Sequence, residues 1–380
     1  MERIVQIGSY PLSGECVHGG IEASVFGISQ ELSRDYEVHV FDNPRIGGKT
    51  EVERQGSIVV HRFGNRGGHQ FLAMRQVDMI VQEIVSLAPD VCHIHGTHLF
   101  AWLIYRKLRK AKFHVVVTVH GLAVVEKRNA LKKRITMKGL LQFLYQGWVE
   151  KRFLSQLPMA IVDTEYVRDQ VNGYSMSRKP VMYVIPQGIN EEFFSLQSTT
   201  DSNVILSVGA IGPRKGQLTV LHVFEQVRRA GTNARLVLVG TIADHSYLGR
   251  LQEAIAQSAF KDDVDLCIDL NDADLKALYE KAHLFVLYSE EESQGIVFAE
   301  AMSVGLPVVA TKVGGVSYVV KHGKTGLLSD YGDVKAFADH MTILMNDSDL
   351  WNKMSEASRD EAKNYHWADI SYQVCQLYKL

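Results

Sequence analysis

The sequence predicts an α/β protein made of two Rossmann-like, doubly wound domains that face each other across a central cleft. Three observations lead to this fold class. The 380 residues exceed what one ordinary core holds. Short β-branched segments alternate with helical segments, as in parallel sheets covered on both faces. These segments fall into two successive series, which indicates one sheet for each domain.

The first series begins at the first strand, which is short and apolar. A helix is predicted over 21–33, where apolar residues recur about every third or fourth position. The strands predicted for this series are 3–7, 37–41, 59–63, 91–95, 115–119, 159–162 and 182–185.

The second series follows a polar stretch, 191–201, which interrupts the pattern and is interpreted as the linker. Its predicted strands are 204–208, 235–239, 264–268, 284–287 and 307–310. Ligands of such sheets bind at the carboxyl ends of the strands, so the cleft is the expected site.

Composition narrows the class of partner. The formal net charge is −2, with 46% hydrophobic and 22% charged residues, so no overall field draws the chain to nucleic acid. The opening MERIVQIGSY lacks the layout of a signal peptide, and no uncharged apolar run reaches the roughly 18 residues of a membrane span. We therefore expect a cytoplasmic protein, with attachment to a membrane surface left open.

Two glycine-containing loops are candidates for phosphate binding. Gly19 and Gly20 precede the first helix, whose N-terminus could accept an anion; a plain turn is the alternative. No GxGxxG follows the first strand, which argues against a nicotinamide dehydrogenase. In the second domain, Arg214 and Lys215 lie beside Gly216 after a strand and could bind a diphosphate, unless they are solvated loop charges.

Two acids flank a glycine in EESQGIVFAEAMSVG, residues 291–305. Gly295 should open a helix at Ile296, whose free N–H groups suit a phosphate. Carboxylates suit sugar hydroxyls instead, so we expect Glu292 to bind a hexose and Glu300 a ribose. The alternative is a pair of surface acids at a helix start.

These residues resemble the retaining glycosyltransferases of family four, which have the GT-B fold, over nearly the whole chain. The E-x7-E signature corresponds to Glu292 and Glu300, and VTVHGL at 117–122 is similar to the segment with the family's active-site histidine, here His120. Further similar segments are the Gly19-Gly20 loop, VIPQGIN at 184–190, HGKTGLL at 322–328 and the tail around Trp367.

The resemblance implies domains and roles. It predicts an acceptor-binding domain at 1–195, a nucleotide-sugar-binding domain at 196–365 and a helix at 366–380 that crosses back. It implies catalytic roles for His120, Lys215 and Glu292, and no metal or other cofactor. The predicted substrate-binding residues are Gly19, Gly20, Arg214, Gln294, Gly295, Ile296 and Glu300.

The chain departs from the family pattern at a few positions. Ala210 stands where an arginine is usual, so one diphosphate cation is missing and Arg214 is the candidate to replace it. Gln294 stands where an aromatic residue is common and could contact a hexose hydroxyl. Gln187 and Asn190 replace the usual Asn and Asp.

Two further segments have alternative interpretations. His93, His95 and His98 could bind zinc, although polar side chains at a strand end are the more ordinary interpretation. Residues 127–138 hold six cations and no acid, and 139–149 are apolar, aromatic and uncharged. This pairing is typical of a helix on an anionic membrane surface, or else of a solvated face leading into a core helix.

The predicted function is transfer of a hexose, with galactose or glucose favoured, from a UDP-sugar to a hydroxyl of a lipid or lipid-linked glycan. The alternatives are a nucleotide-sugar epimerase of the same fold, transfer to a soluble acceptor, and a non-catalytic nucleotide-sugar-binding protein.

Overall fold

The computed structural model of the chain describes residues 2–12, 17, 19–46, 49–65, 70–133, 135–174, 176, 178–198 and 202–380. The chain forms two compact units, Met1–Gly188 together with Trp367–Leu380, and Ile189–His366. Each unit contains a parallel sheet with helices, so the predicted α/β class with two parallel-sheet domains is confirmed.

The first unit is built on a sheet with the order β10-β9-β8-β7-β1-β2-β5-β4. Neighbouring strands are parallel except β4, which pairs antiparallel with β5, and the short β3 and β6 pair separately. The strands are β1 (Arg3–Gly8), β2 (Glu37–Asp42), β3 (Arg45–Ile46), β4 (Glu51–Gln55), β5 (Ile58–Arg62), β6 (Gly64–Asn65), β7 (Val91–His95), β8 (Val115–Val119), β9 (Met159–Val162) and β10 (Val181–Val184).

Helices alternate with these strands and cover both faces of the sheet, which gives two apolar clusters. The strand residues of β7 and β8 are all buried, as expected for central parallel strands. The helices are α1 (Gly20–Leu32), α2 (Gln70–Leu87), α3 (Leu99–Lys110), α4 (Ala123–Lys133), α5 (Met137–Leu154) and α6 (Glu165–Asn172).

The second unit has a parallel sheet with the order β13-β12-β11-β14-β15-β16. Its strands are β11 (Val204–Val208), β12 (Arg235–Gly240), β13 (Val264–Ile268), β14 (Ala282–Leu287), β15 (Val308–Thr311) and β16 (Gly326–Ser329). Its helices are α7 (Gln217–Arg229), α8 (His245–Gln257), α9 (Asp272–Lys281), α10 (Ile296–Val304), α11 (Val316–Val319), α12 (Val334–Asn346) and α13 (Ser348–Ala362), with 3-10 turns at Glu191–Ser195, Lys261–Asp263 and Lys363–Tyr365.

The last helix, α14 (Trp367–Leu377), belongs to the first unit. The indole of Trp367 lies against two glycines, because a Cβ on Gly27 would be 2.2 Å from the ring and one on Gly188 2.6 Å. Any larger residue at either position would displace the ring, so these glycines fix where α14 begins to pack.

The polar stretch 191–201 begins with a short helical turn. Glu191–Ser195 forms a 3-10 turn in the second unit, where Phe193 is buried edge-to-face against Tyr279. The units divide at Gly188 and Ile189, slightly before the predicted boundary of 195 and 196. Phe194 and Leu196 pack against the same apolar cluster as Phe193, so apolar side chains attach this largely polar segment to the second unit.

Candidate functional site

Lys215 lies in the loop between β11 and α7, at the carboxyl end of its sheet. Gly216 follows it with φ 67° as the N-cap of α7, and a Cβ there would be 2.3 Å from the carbonyl oxygen of Tyr288. The Lys215 stem packs against Gly209, where a Cβ would be 3.3 Å from the lysine Cδ. The two glycines allow the loop to pack closely around Lys215, and only 8% of the lysine surface is exposed to solvent.

The ammonium group of Lys215 forms a buried ion pair with Glu292, bonding the carboxylate through Oε1. The same oxygen accepts a hydrogen bond from Ser289 at 2.7 Å. Arg214 is half-exposed and its guanidinium lies 4.0 Å from the other carboxylate oxygen. The structure therefore brings Arg214, Lys215 and Glu292 together, a direct pairing that the sequence analysis did not predict.

The backbone of Glu292 is held as firmly as its side chain. Gly315 donates its N–H to the Glu292 carbonyl at 2.8 Å. A Cβ on Gly314, which has φ 52°, would be 2.0 Å from that carbonyl oxygen. The glycine pair therefore fixes the loop that carries Glu292.

Two opposing effects act on the ionisation of Glu292. Burial disfavours the charged form, but the positive charges of Lys215 and Arg214 outweigh it and hold the pKa of Glu292 below its ordinary value. Glu292 is therefore a carboxylate at neutral pH, and the cluster has one positive charge more than it has negative charges.

Helix α10 begins at Ile296, directly after Gly295, as the sequence predicts. Gly295 adopts the left-handed conformation, with φ 81°, and offers no side chain to cap the helix. The first N–H groups of a helix have no acceptor within it, so this end of α10 favours an anionic ligand. Gln294, which precedes the glycine, is buried at 2% exposure.

Glu300 lies inside α10, where the fully buried Tyr279 of α9 donates a hydrogen bond to its Oε2 at 2.8 Å. Burial raises the pKa of Glu300 to about 7, and the tyrosine bond only partly opposes that rise. The two glutamates therefore differ in charge state near neutral pH: Glu292 is ionised and Glu300 is poised between its two forms.

His120 lies in the first unit, directly after β8, in a buried polar chain. Its Nδ1 is 3.0 Å from the Asp163 carboxylate, which follows β9, and its Nε2 is 2.9 Å from Nδ1 of His95. Gln187 donates to the same Asp163 oxygen. Nε2 of Gln187 also lies 3.1 Å from His120 Nδ1, so both nitrogens of the His120 ring have hydrogen-bonding partners in this chain.

The other two histidines of the 93–98 segment are occupied by hydrogen bonds. His93 lies between Tyr378 and Thr118, each at 2.7 Å, and burial lowers its pKa to about 3. His98 caps α3 by accepting from Ala101 N–H at 3.2 Å. Across the described ranges of the chain, the His, Cys, Asp and Glu side chains form no group of three or more that could hold a metal ion.

Gly19 and Gly20 lie at the start of α1 in the first unit. Gly19 has φ 85° and is exposed, and a Cβ there would meet nothing within 4 Å. Glycine is therefore favoured at position 19 by the positive φ angle of the backbone and not by close packing of neighbouring atoms. The preceding residues 13–16 and 18 of this loop lie outside the described part.

Sequence reasoning missed several residues that hold the predicted ones: Ser289, Gly314 and Gly315 around Glu292, Tyr279 at Glu300, and Asp163 beside His120. The glycine pair after β15 was visible as a motif, and it could have been placed at the same edge of the sheet as Glu292. Tyr279 and Asp163 belong to no motif that the sequence analysis considered, so their contacts with Glu300 and His120 could not be predicted.

Comparison with known proteins identifies the class. Residues 188–361 match the model described as glycosyl transferases group 1, and residues 18–193 match glycosyltransferase family 4. The two matches together run through both units, and the chain belongs to this glycosyltransferase family.

One relative of known name is similar over about half of the chain. D-inositol 3-phosphate glycosyltransferase of Corynebacterium efficiens is 31% identical over 183 residues, covering 47% of this chain and 42% of that protein. The chain thus matches less than half the length of that relative.

Solved structures match over the whole chain and show the GT-B fold. Sucrose-phosphate synthase from Thermosynechococcus elongatus has a TM-score of 0.83 at 20% identity, covering 100% of this chain and 98% of that one. HepE from Anabaena, in complex with UDP-glucose, has a TM-score of 0.75 at 17% identity, with 100% of both chains covered.

Proposed function

We propose that the protein is a retaining glycosyltransferase that moves a hexose, glucose or galactose first, from a UDP-sugar to a hydroxyl acceptor. The observation that carries this proposal is the buried Lys215–Glu292 pair, with Arg214 beside it. Membership of the glycosyltransferase family supports the class of reaction, and the UDP-glucose bound to HepE supports the donor.

The proposed chemistry needs stabilisation of a leaving diphosphate. The bond from the anomeric carbon to the diphosphate oxygen breaks, the acceptor oxygen bonds that carbon, and the acceptor proton passes to the departing diphosphate oxygen. Lys215, Arg214 and the N-terminus of α10 would stabilise the charge that grows on the diphosphate. Glu292 and Gln294 would hold the hexose and Glu300 the ribose, with His120 acting on the donor.

Donor transfer itself is the test. Purified protein is screened against UDP-, GDP- and ADP-hexoses by thermal shift, and donors that stabilise it are incubated with candidate acceptors and analysed by mass spectrometry. Product glycoside with the anomeric configuration of the donor supports the proposal. Release of an epimerised sugar without any acceptor would favour an epimerase, and binding without turnover a non-catalytic protein.

The pKa of Glu300 gives a pH prediction for nucleotide binding. Because the pKa of this carboxyl is raised from 4.5 to about 7, its ribose-binding carboxylate form accumulates as the pH rises through neutrality. We expect the affinity for UDP, measured by calorimetry, to increase by up to about tenfold between roughly pH 6 and pH 8. The raised pKa also means that the folded protein binds the Glu300 proton more tightly than the unfolded chain does. The contribution of Glu300 to folding stability therefore falls as the pH rises from 4.5 to about 7.

Glu300→Gln is the matched control for that measurement. The amide can still accept the Tyr279 hydrogen bond but cannot ionise. The variant should show only the pH dependence of UDP itself. Equal slopes for both proteins would remove Glu300 from nucleotide binding.

We further propose that the acceptor is a lipid or lipid-linked sugar, reached from an anionic membrane surface. Helix α5 exposes an apolar stripe at helical spacing along its first three turns, and large parts of the side chains in it are accessible: Met137, Leu140, Leu141, Leu144, Tyr145 and Trp148. Lys127, Arg128 and Lys138 are exposed nearby in sequence. Across the described helices, none is long and apolar enough to span a bilayer.

The stripe predicts binding to vesicles. Leu144→Glu places a charge on the apolar face and should lower sedimentation with anionic liposomes at low salt by about tenfold or more. Gln142→Glu is the control, since Gln142 is exposed on the same helix but off the stripe and the charge change is identical. Equal sedimentation of the two variants, or none by the unmodified protein, would leave a soluble acceptor as the better proposal.

A further inference from the structure

A buried arginine holds the chain where it leaves β1, at the carboxyl edge of the first sheet. Strands β1, β2 and β5 are parallel neighbours, and their register sets Gly8, the last residue of β1, beside Asp42, the last of β2. Arg62 ends β5 at the same edge and is only 4% exposed. Its side chain therefore lies under residues 9–12, the described start of the loop that follows β1.

The five N–H groups of the Arg62 guanidinium all have acceptors. Nη1 donates to the carbonyl of Tyr10 at 3.2 Å and to Oδ2 of Asp42 at 2.7 Å. Nη2 donates to the carbonyl of Pro11 at 2.6 Å and to Oε1 of Glu53 on β4. Nε donates to the same Glu53 oxygen at 2.8 Å. One side chain thus joins the loop after β1 to both β2 and β4.

Tyr10 is fastened by the partner of the arginine as well. Its N–H donates to Oδ1 of Asp42 at 3.1 Å, so this carboxylate binds Arg62 with one oxygen and the loop backbone with the other. The Tyr10 ring is fully buried, and its centre lies 5.5 Å from that of Phe26 on α1. Both backbone polar groups of Tyr10 are therefore bonded to a buried ion pair, which is a stronger anchor than neutral hydrogen bonds provide.

The anchored loop borders the place where the strand order of the first sheet reverses. From β1 the sheet grows to β2 on one side, and β7 to β10 are added on the other side. Open parallel sheets bind ligands in the crevice at the carboxyl ends of the strands at such a switch point. The loop also lies at the same edge of the sheet as His120, which follows β8. Since the first unit is the predicted acceptor-binding domain, we expect this loop to border the acceptor.

We propose that Arg62 is a positioning residue for acceptor binding, which fixes residues 9–12 and so shapes the crevice that receives the acceptor. The proposal rests on the proposed function, because it concerns the acceptor of the same reaction. Lysine cannot replace this arginine, since its three N–H groups diverge from one nitrogen, whereas the acceptors around Arg62 surround a planar fork. Arg62→Lys therefore keeps the positive charge and removes the geometry that anchors the loop.

Amide hydrogen exchange, followed by NMR, measures the anchor without any substrate. In Arg62→Lys the Tyr10 amide should exchange about tenfold faster, because the carboxylate that accepts its hydrogen bond loses the guanidinium that holds it. Arg54→Lys is the matched control, since it makes the same chemical change at an exposed position of β4 and should leave the exchange unchanged. If Arg62→Lys does not fold, Asp42→Asn provides the same test, because one amide oxygen must then serve both the arginine and the Tyr10 N–H.

Steady-state kinetics with the acceptor found in the transfer assay gives the functional measurement. The KM for the acceptor should rise about tenfold in Arg62→Lys, while kcat and the affinity for UDP stay within about a factor of two. A mere loss of folded protein would lower kcat and leave KM unchanged. Unchanged exchange at Tyr10, or faster exchange with an unchanged KM, overturns the proposal. Faster exchange in a protein that transfers no sugar to any acceptor would uphold the anchor but reject the proposed function, and with it the acceptor role of Arg62.

Discussion

Replacing Lys215 with alanine should lower turnover by at least about 100-fold, the range seen when a group that stabilises transition-state charge is removed. The ammonium group is buried and fixed by Glu292, so in the proposed reaction it needs little reorganisation to stabilise the leaving diphosphate. Its loss leaves Arg214, which is half-exposed, as the remaining cation of the cluster. Steady-state release of UDP measures the effect.

The control must separate lost catalysis from lost stability, because removing one partner of a buried ion pair leaves the other charge uncompensated. The double variant Lys215→Ala with Glu292→Gln removes both charges and should recover much of the melting temperature without recovering turnover. Lys353→Ala, on an exposed position of α13, should change neither. Near-normal turnover in Lys215→Ala would exclude the lysine from the mechanism.

His120→Asn should lower turnover by about 100-fold or more while leaving the affinity for UDP within about a factor of two. The asparagine amide can donate to Asp163 as Nδ1 of the imidazole does, but it offers nothing in place of Nε2. The substitution therefore keeps the contact with Asp163 and removes the Nε2 nitrogen, which lies 2.9 Å from Nδ1 of His95. Turnover and UDP calorimetry on the same preparation measure the two quantities.

His222→Asn makes the same chemical change at an exposed position of α7 and should be neutral. If His120→Asn retains turnover close to that of the unmodified protein, Nε2 takes no part in the reaction. A parallel loss of UDP affinity would instead indicate a disturbed fold.

The central strands of both sheets could be predicted from the sequence because each is a buried, β-branched run whose chemistry is local. Strands β7, β8 and β9 have the predicted bounds. Strand β4, with the sequence EVERQ, was missed because it lies at the sheet edge, where no apolar run is required. Strand β16 was missed because its four residues, GLLS, resemble a turn flanked by glycine.

In the candidate site, too, features set by neighbouring residues in the sequence could be predicted, and contacts between distant residues could not. The helix start at Gly295 was predictable, because left-handed backbone and a following apolar run are adjacent in sequence. The contact of Lys215 with Glu292 joins residues 77 positions apart, and that of His120 with Asp163 joins residues 43 apart. Such pairs are set by the order of strands in each sheet, which periodicity does not encode.

Strand β4 has a consequence for how the protein behaves in concentrated solution. It forms the outer edge of the first sheet, runs opposite to its neighbour and exposes Glu51 and Arg54. An edge with unsatisfied backbone groups can recruit a strand from another copy and seed aggregates, and charged side chains discourage that approach. Hydrophobic substitutions in this peripheral strand should thus threaten colloidal stability well before they affect folding.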